Sequence, residues 1–215
     1  MKKINTYITE KLHINDEVEV KKVNKVEYKY HPKNNDELIN LLKQLLKERG
    51  KDADLNDVDV SAITDMSDLF YRLSEKYNCE IENIEISQWD VSNVTNMESM
   101  FKNCDKFNCD ISDWDTRRVK NMFGMFFNCK NFMSELYWDV ENVEDFKSMF
   151  YKCEKFNGDI RRWNVSKGKD FTYMFAGCKD FTYDLSSWKP PKNAQCEFAF
   201  RNSGVKKIPE WAKNK

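Results

Sequence analysis

Histidine is scarce here: the 215-residue chain has only His13 and His31. Histidine is the side chain most used in general acid–base catalysis, so its near absence already weighs against an enzyme. The signatures of other chemistries are missing too. There is no Gly-rich phosphate loop, no His-Glu-x-x-His and no Gly-x-Ser-x-Gly. Calcium loops of the Asp-x-Asp-x-Asp-Gly kind are absent, and so is any Cys-x-x-Cys pair. Six glycines and four prolines are too few for a collagen-like or linker-rich chain. With a mean hydropathy of −0.78, no apolar run approaches the ~20 residues of a membrane helix. The first residues, Met-Lys-Lys-Ile-Asn-Thr-Tyr, carry bases but no apolar stretch of a secretory signal. A cytoplasmic protein is therefore expected. Seven cysteines, an odd number, then read as free thiols in a reducing compartment, not as a disulfide framework. No enzyme activity, cofactor or metal is expected.

What the chain does have is aromatic and charged. Aromatics make up 14%, with Phe 15, Tyr 9 and Trp 6, while charged residues reach 33% and hydrophobic ones 40%. Disordered chains lack such an aromatic load. A polar chain rich in rings suits a thin aromatic core with much surface. The net charge of −1 hides an uneven spread: +3 over 1–50, −9 over 51–100, −2 over 101–150 and +7 over 151–215. That asymmetry bears on steering and partners, not on fold.

The decisive signal is an internal repeat. Trp89, Trp114, Trp138, Trp163 and Trp188 are spaced by 25, 24, 25 and 25 residues. Phe101, Phe126, Phe150, Phe175 and Phe200 keep the same intervals. Cys104, Cys129, Cys153 and Cys178 recur in phase, as do Phe107, Phe132, Phe156 and Phe181, and Met100, Met125, Met149 and Met174. A partial copy runs from Val58 to Phe70, with Val58 in the Trp position. About six extra residues over 72–83 predict a loop, and the last copy decays at Pro190 and Pro191, as terminal repeats do. Within each coil the pattern predicts a short strand, over 107–111 in one copy, followed by one or two helical turns through Val119, Met122, Met125 and Phe126.

Residues 1–54 differ. Leu38, Ile39, Leu41, Leu42, Leu45 and Leu46 predict an amphipathic helix over 35–49, capped by Asn34, Asn35 or Asp36 and ended by Gly50. Val18, Val20, Val23, Val26, Tyr28 and Tyr30 suggest one or two strands before it. This segment reads as an N-terminal cap, residues 55–205 as the repeat body and 206–215 as a C-terminal tail or cap.

The runs Trp89-Asp-Val-Ser-Asn-Val-Thr-Asn-Met-Glu-Ser-Met-Phe101 and Cys104-Asp-Lys-Phe-Asn-Cys-Asp-Ile-Ser-Asp-Trp114 resemble the BspA-like leucine-rich repeats. The nearer likeness is to their 25-residue variant, first catalogued in mycoplasma surface lipoproteins. The resemblance implies an α/β repeat fold, a right-handed leucine-rich-repeat solenoid of about five coils. Family members are mostly read as surface adhesion or interaction proteins. The short form without a signal segment looks more like phage- or mobile-element-encoded members, which would place it in a host cytoplasm.

The repeat also sorts fold from function. Positions filled alike in every coil serve the fold; function belongs where coils differ. The ring, Met and Cys columns therefore read as core, and Asp90, Asp115, Asp139 and Asn164 as Asx caps of turns. Departures occur at Arg117, Arg118, Tyr137, Arg161, Arg162 and Tyr183, residue types enriched at interface hot spots. These six are the candidate partner-binding residues. The expected function is a non-enzymatic scaffold for a protein partner, such as an intracellular inhibitor or adaptor, for example a phage counter-defence factor acting by steric occupation. A structural part of a virion or surface assembly is the alternative. Nucleic-acid binding through Arg161, Arg162, Lys167, Lys169, Lys206 and Lys207 comes third. No membrane partner is expected.

Overall fold

A computed structural model of the chain describes residues 27–78 and 81–213. The expected strands at Val18, Val20, Val23 and Val26, and Cys79, lie outside the described residues. Helix α1 spans Asn35–Arg49. Asn34 is extended and its side chain accepts the Glu37 N–H at 2.9 Å, while Glu37 accepts the Lys33 N–H at 2.9 Å. One orphan donor of the first turn is thereby satisfied, and the residue before the cap is tied back to that turn. Gly50, at φ 78°, ends the helix and returns its N–H to the Leu46 carbonyl, a left-handed stop that favours glycine. Leu38, Ile39, Leu42, Leu45 and Leu46 are buried in the same core as the repeats. Helix α2, Leu69–Glu75, lies beside α1. It occupies the start of the stretch expected to be a loop.

The repeats themselves contain little regular secondary structure. No strand forms over 107–111, and 119–128 make hydrogen-bonded turns instead of a helix. The reason is a left-handed residue at two fixed points in each copy. Ser99 and Asn103, Gly124 and Asn128, Ser148 and Lys152, Tyr173 and Gly177, and Phe198 and Asn202 all have φ between 52° and 82°. A helix cannot run through such residues.

Backbone donors in these turns alternate between two kinds of acceptor. The N–H groups of Met97, Ser99, Phe101 and Asn103 go forward to the carbonyls of Asn121, Phe123, Met125 and Phe127 in the next repeat, at 2.8–2.9 Å. Those of Met100, Lys102 and Cys104 go back to Met97, Ser99 and Phe101 in their own repeat. The same alternation recurs from Met122, from Phe146 and from Phe171. Buried backbone donors must be paired, and here the next repeat supplies every second partner. One parallel bridge per repeat marks the register: Asp65 to Asn96, Asn96 to Asn121, Asn121 to Asp145, Asp145 to Asp170 and Asp170 to Gln195.

Asx turns make the corners of each repeat. Asp90, Asp115, Asp139 and Asn164 each accept the N–H two residues on, at 3.0–3.2 Å. Asn96, Asn121, Asp145 and Asp170 do so at a second corner, at 2.8–3.1 Å. Asp110, Asp159 and Asp184 do so at a third, at 2.8–3.2 Å.

The core between these corners is aromatic. Phe70, Phe101, Phe126, Phe150, Phe175 and Phe200 stack at 5.1–5.7 Å between ring centres. Phe107, Phe132, Phe156 and Phe181 form a second column at 5.8–6.2 Å. The indoles of Trp89, Trp114, Trp138, Trp163 and Trp188 are only 4–6% exposed. Each donates its Nε1–H to a carbonyl of the preceding repeat, at Leu55, Ile86, Ile111, Leu136 and Ile160, at 2.9–3.2 Å. A buried indole needs such an acceptor.

Trp211, in the segment read as a C-terminal tail or cap, continues this column. It sits in a short 3₁₀ helix, Glu210–Ala212. Its ring stacks on Trp188 at 5.9 Å, and its Nε1–H donates to the Leu185 carbonyl at 3.0 Å. The spacing of 23 from Trp188, after a decayed copy, hid it. Among the described residues no helix is long and apolar enough to cross a membrane.

Candidate interaction surfaces

The repeat is one residue shorter between Trp114 and Trp138. The carbonyl acceptors Ile111, Leu136 and Ile160 are equivalent, so the missing residue lies between Leu136 and Trp138. Two residues join these columns in the neighbouring repeats; here Tyr137 alone does so. Tyr137 is 73% exposed, and the link residues Asp113, Arg161 and Arg162 of the neighbouring repeats are exposed as well.

Arg161 and Tyr183 come together. The Arg161 guanidinium lies 5.0 Å from the Tyr183 ring centre. It also grips Asp159 through two bonds of 2.9 and 2.7 Å. That fork holds the Asp159 carboxyl down at about 2. Arg162 is exposed beside it. Tyr183 is half-buried, its ring set against Phe181.

Arg117 and Arg118 sit elsewhere, in a shallow depression of about 390 Å³ with Ser92, Asn93 and Asp115. Arg117 forks onto Asp115 at 2.8 and 2.6 Å, which lowers that carboxyl below its usual range. Arg118 donates to Asn93 Oδ1 at 2.8 Å. The depression shares no lining residue with the Arg161 group. Five of the six residues therefore form two groups, with Tyr137 in neither, and most of their cations are already engaged.

The basic residues weighed for nucleic acid are partly spent as well. Lys169 pairs with Glu144, and Lys167 donates to Asn142 at 2.7 Å.

The cysteine column has no exposed thiol. Cys129, Cys153 and Cys178 donate to the carbonyls of Phe101, Phe126 and Phe150 at 2.8–2.9 Å. Burial pushes the thiols of Cys104, Cys129, Cys153 and Cys178 far up, which makes them poor nucleophiles. Cys109 and Cys196, off the column, are also buried, and burial raises Cys109 to about 11. Neither Cys109 nor Cys196 therefore offers a surface thiol.

Sequence reasoning missed a second set of rings, outside the core. Phe127 and Tyr151 stack at 4.6 Å, Tyr151 meets Tyr173 edge-on at 6.1 Å, and Tyr173 stacks on Phe198 at 5.2 Å. Lys102 reaches over Tyr71 and Phe127, Lys152 over Tyr151 and Arg201 over Phe198, at 4.7–5.6 Å. The signal was available: the position held by Ser99, Gly124 and Ser148 becomes Tyr173 and Phe198.

The model of one protein family matches the chain twice, over residues 40–137 and 124–211. The chain belongs to that family, described as Mycoplasma protein of unknown function, DUF285. The two DUF285 matches make it a tandem repeat protein, and together they run from the middle of α1 to Trp211. The closing indole is thus inside the DUF285 region. Comparison with curated proteins and with solved structures gives no match.

Proposed function

We propose that this DUF285 chain is a non-enzymatic scaffold that binds a protein partner by steric occupation of an extended face. The observation that carries this reading is the division of labour within the repeat. The recurring apolar positions are buried, whereas exposed and half-buried positions between them change from copy to copy and gain Arg and Tyr at 117, 118, 137, 161, 162 and 183. Variable residues held in register on a regular frame are how repeat proteins build binding faces. We further read the frame as a right-handed solenoid of the BspA-like leucine-rich-repeat type. The one-per-repeat parallel bridges and forward hydrogen bonds support stacking of that kind. An inhibitor or adaptor role follows if the occupied surface is one the partner needs. Engagement of Arg161, Lys167 and Lys169 by acceptors of this chain ranks protein above nucleic acid as the partner.

The test is capture from host-cell extract with the full chain, followed by mass spectrometry and reconstitution with the purified candidate. A stoichiometric complex without turnover, weakened by Arg118→Glu, Tyr137→Ala or Arg162→Glu, is the expected result. No complex with any purified candidate would sink the reading. Recovery of many copies per assembled particle would favour a structural role instead.

A further inference from the structure

The ring-and-cation ridge beside the core has three features that the fold does not explain. The first is its backbone. Tyr173 and Phe198 have φ of 58° and 57°, where bulky residues are outliers. Their counterparts Ser99, Gly124 and Ser148 hold the same conformation with small side chains. Two repeats therefore accept unfavourable residues at a point where Ser or Gly serves. Strained residues of this kind are drawn to functional sites.

The second feature is exposure. Phe198 is 55% exposed, although every recurring Phe column is buried. Tyr151 and Tyr173 are half-buried along the same line. The third is charge. Lys102, Lys152 and Arg201 lie over these rings and have no ion pair among the described residues. The nearby carboxylates are occupied: Lys179 donates to Glu154 at 2.7 Å and Thr172 to Glu197 at 3.0 Å. A cleft of about 280 Å³ opens between Tyr151, Lys152, Tyr173, Gly177 and Arg201, with no carboxylate in its lining.

We propose that this ridge, from Lys102 to Arg201, is a docking surface for an acidic, apolar segment of a protein partner. It rests on the protein-binding reading above and adds a second contact face to the six sequence candidates. An apolar or aromatic side chain of the segment packs on the edges of Tyr173 and Phe198 and enters the cleft. A neighbouring carboxylate takes Lys152 and Arg201, whose donors have no acid of their own. Tyr and Arg side by side form the usual centre of such contacts. Single-stranded nucleic acid would also meet cations and rings, but it needs free ring faces for base stacking. Here the faces of Phe127, Tyr151, Tyr173 and Phe198 are largely turned on one another, leaving edges that suit aliphatic and aromatic side chains.

The test pans the full chain against a displayed library of random 12-residue peptides, then measures the affinity of the enriched sequences. Enrichment of peptides that join a carboxylate run to an aromatic or long apolar residue is expected. Tyr173→Ser with Phe198→Ser places the residue of positions 99 and 148 in the same backbone, so its melting temperature should not fall. Affinity should drop tenfold or more in that double variant and in Arg201→Glu, with partial recovery in Arg201→Lys. Lys33→Ala, an exposed cation just before α1, should change it less than twofold. Enriched peptides that bind the ridge variants as well as wild type would overturn the ridge but leave the wider binding reading standing. Failure to enrich acidic, apolar peptides would overturn the ridge proposal, while partner capture decides the wider reading separately. A 20-residue oligodeoxythymidine that displaces the peptides, with affinity falling steeply as salt rises, would overturn it in favour of nucleic acid.

Discussion

At the scale of single residues, the repeat acts as an internal control on what each side chain does. Trp138 is buried and its Nε1–H is bonded to Ile111, whereas Arg161 is exposed and held only by Asp159 and Tyr183. Trp138→Ala should therefore cost about 3–5 kcal/mol, and Arg161→Ala no more than about 0.5 kcal/mol. Urea denaturation of both variants checks this; equal midpoints would show that the indole column is not core. Asp145 offers a finer case. Burial raises its carboxyl pKa, with Asp170 and Glu98 adding to the rise and the Lys147 N–H opposing it. A carboxyl whose folded pKa exceeds its unfolded one holds its proton longer when folded. Its ionisation therefore subtracts stability as pH rises through that window. Asn96 and Asn121 fill the same corner without a charge and keep the Asx bond. Asp145→Asn should thus raise the melting temperature at pH 7, at ~2–4 °C per kcal/mol for a chain of this size, and the gain should vanish near pH 3. A lower melting temperature at pH 7 would contradict the account. The core columns and the Asx role of Asp90, Asp115, Asp139 and Asn164 were legible in the sequence because they recur. The second ring line was missed although its signal was present, because the change from Ser or Gly to Tyr173 and Phe198 falls at a varying position and was overshadowed by the recurring core rings.

Between residues and the whole chain lie the elements, and here periodicity misled. Apolar spacings of three at Val119, Met122 and Met125 look helical, yet left-handed residues at Gly124 and Asn128 break the run into turns. A spacing rule reads side chains; it does not see φ. Helix α1 was legible because its stripe, cap and stop all agree: Leu38 to Leu46, Asn34 and Gly50. Its anchoring was not, since that depends on a contact across eight residues. Arg49 forks onto Asp57 at 2.7 and 2.9 Å and holds that carboxyl below its usual range. Removing the fork leaves Asp57 with Lys29 at 3.6 Å. Arg49→Ala should cost about 1.5–3 kcal/mol, the range for a hydrogen bond to a charged group. The loss should show as a lower urea midpoint and faster amide exchange in Asn35–Arg49. An unchanged midpoint would mean that the buried leucines alone seat the helix.

For the whole molecule, the open question is how a stack of repeats ends. Each internal repeat passes four backbone N–H groups to the next one, so the last repeat must dispose of its exposed ring face by other means. Trp211 does this from outside the 25-residue rhythm. It covers Trp188, touches Phe171 and Phe200 at 5.6 Å, and its carbonyl accepts the Cys196 thiol at 3.4 Å. In a chain where each repeat contacts mainly its neighbours, losing an end should loosen the adjacent repeat first and leave distant ones intact. Trp211→Ala should accordingly speed amide exchange over 189–205, with protection over 90–125 unchanged. Trp138→Ala, in the middle of the stack, should instead reduce protection on both sides of residue 138. If Trp211→Ala loosened the entire chain evenly, the molecule would have to fold as one cooperative block, and the ridge and the two arginine groups would share a single stability.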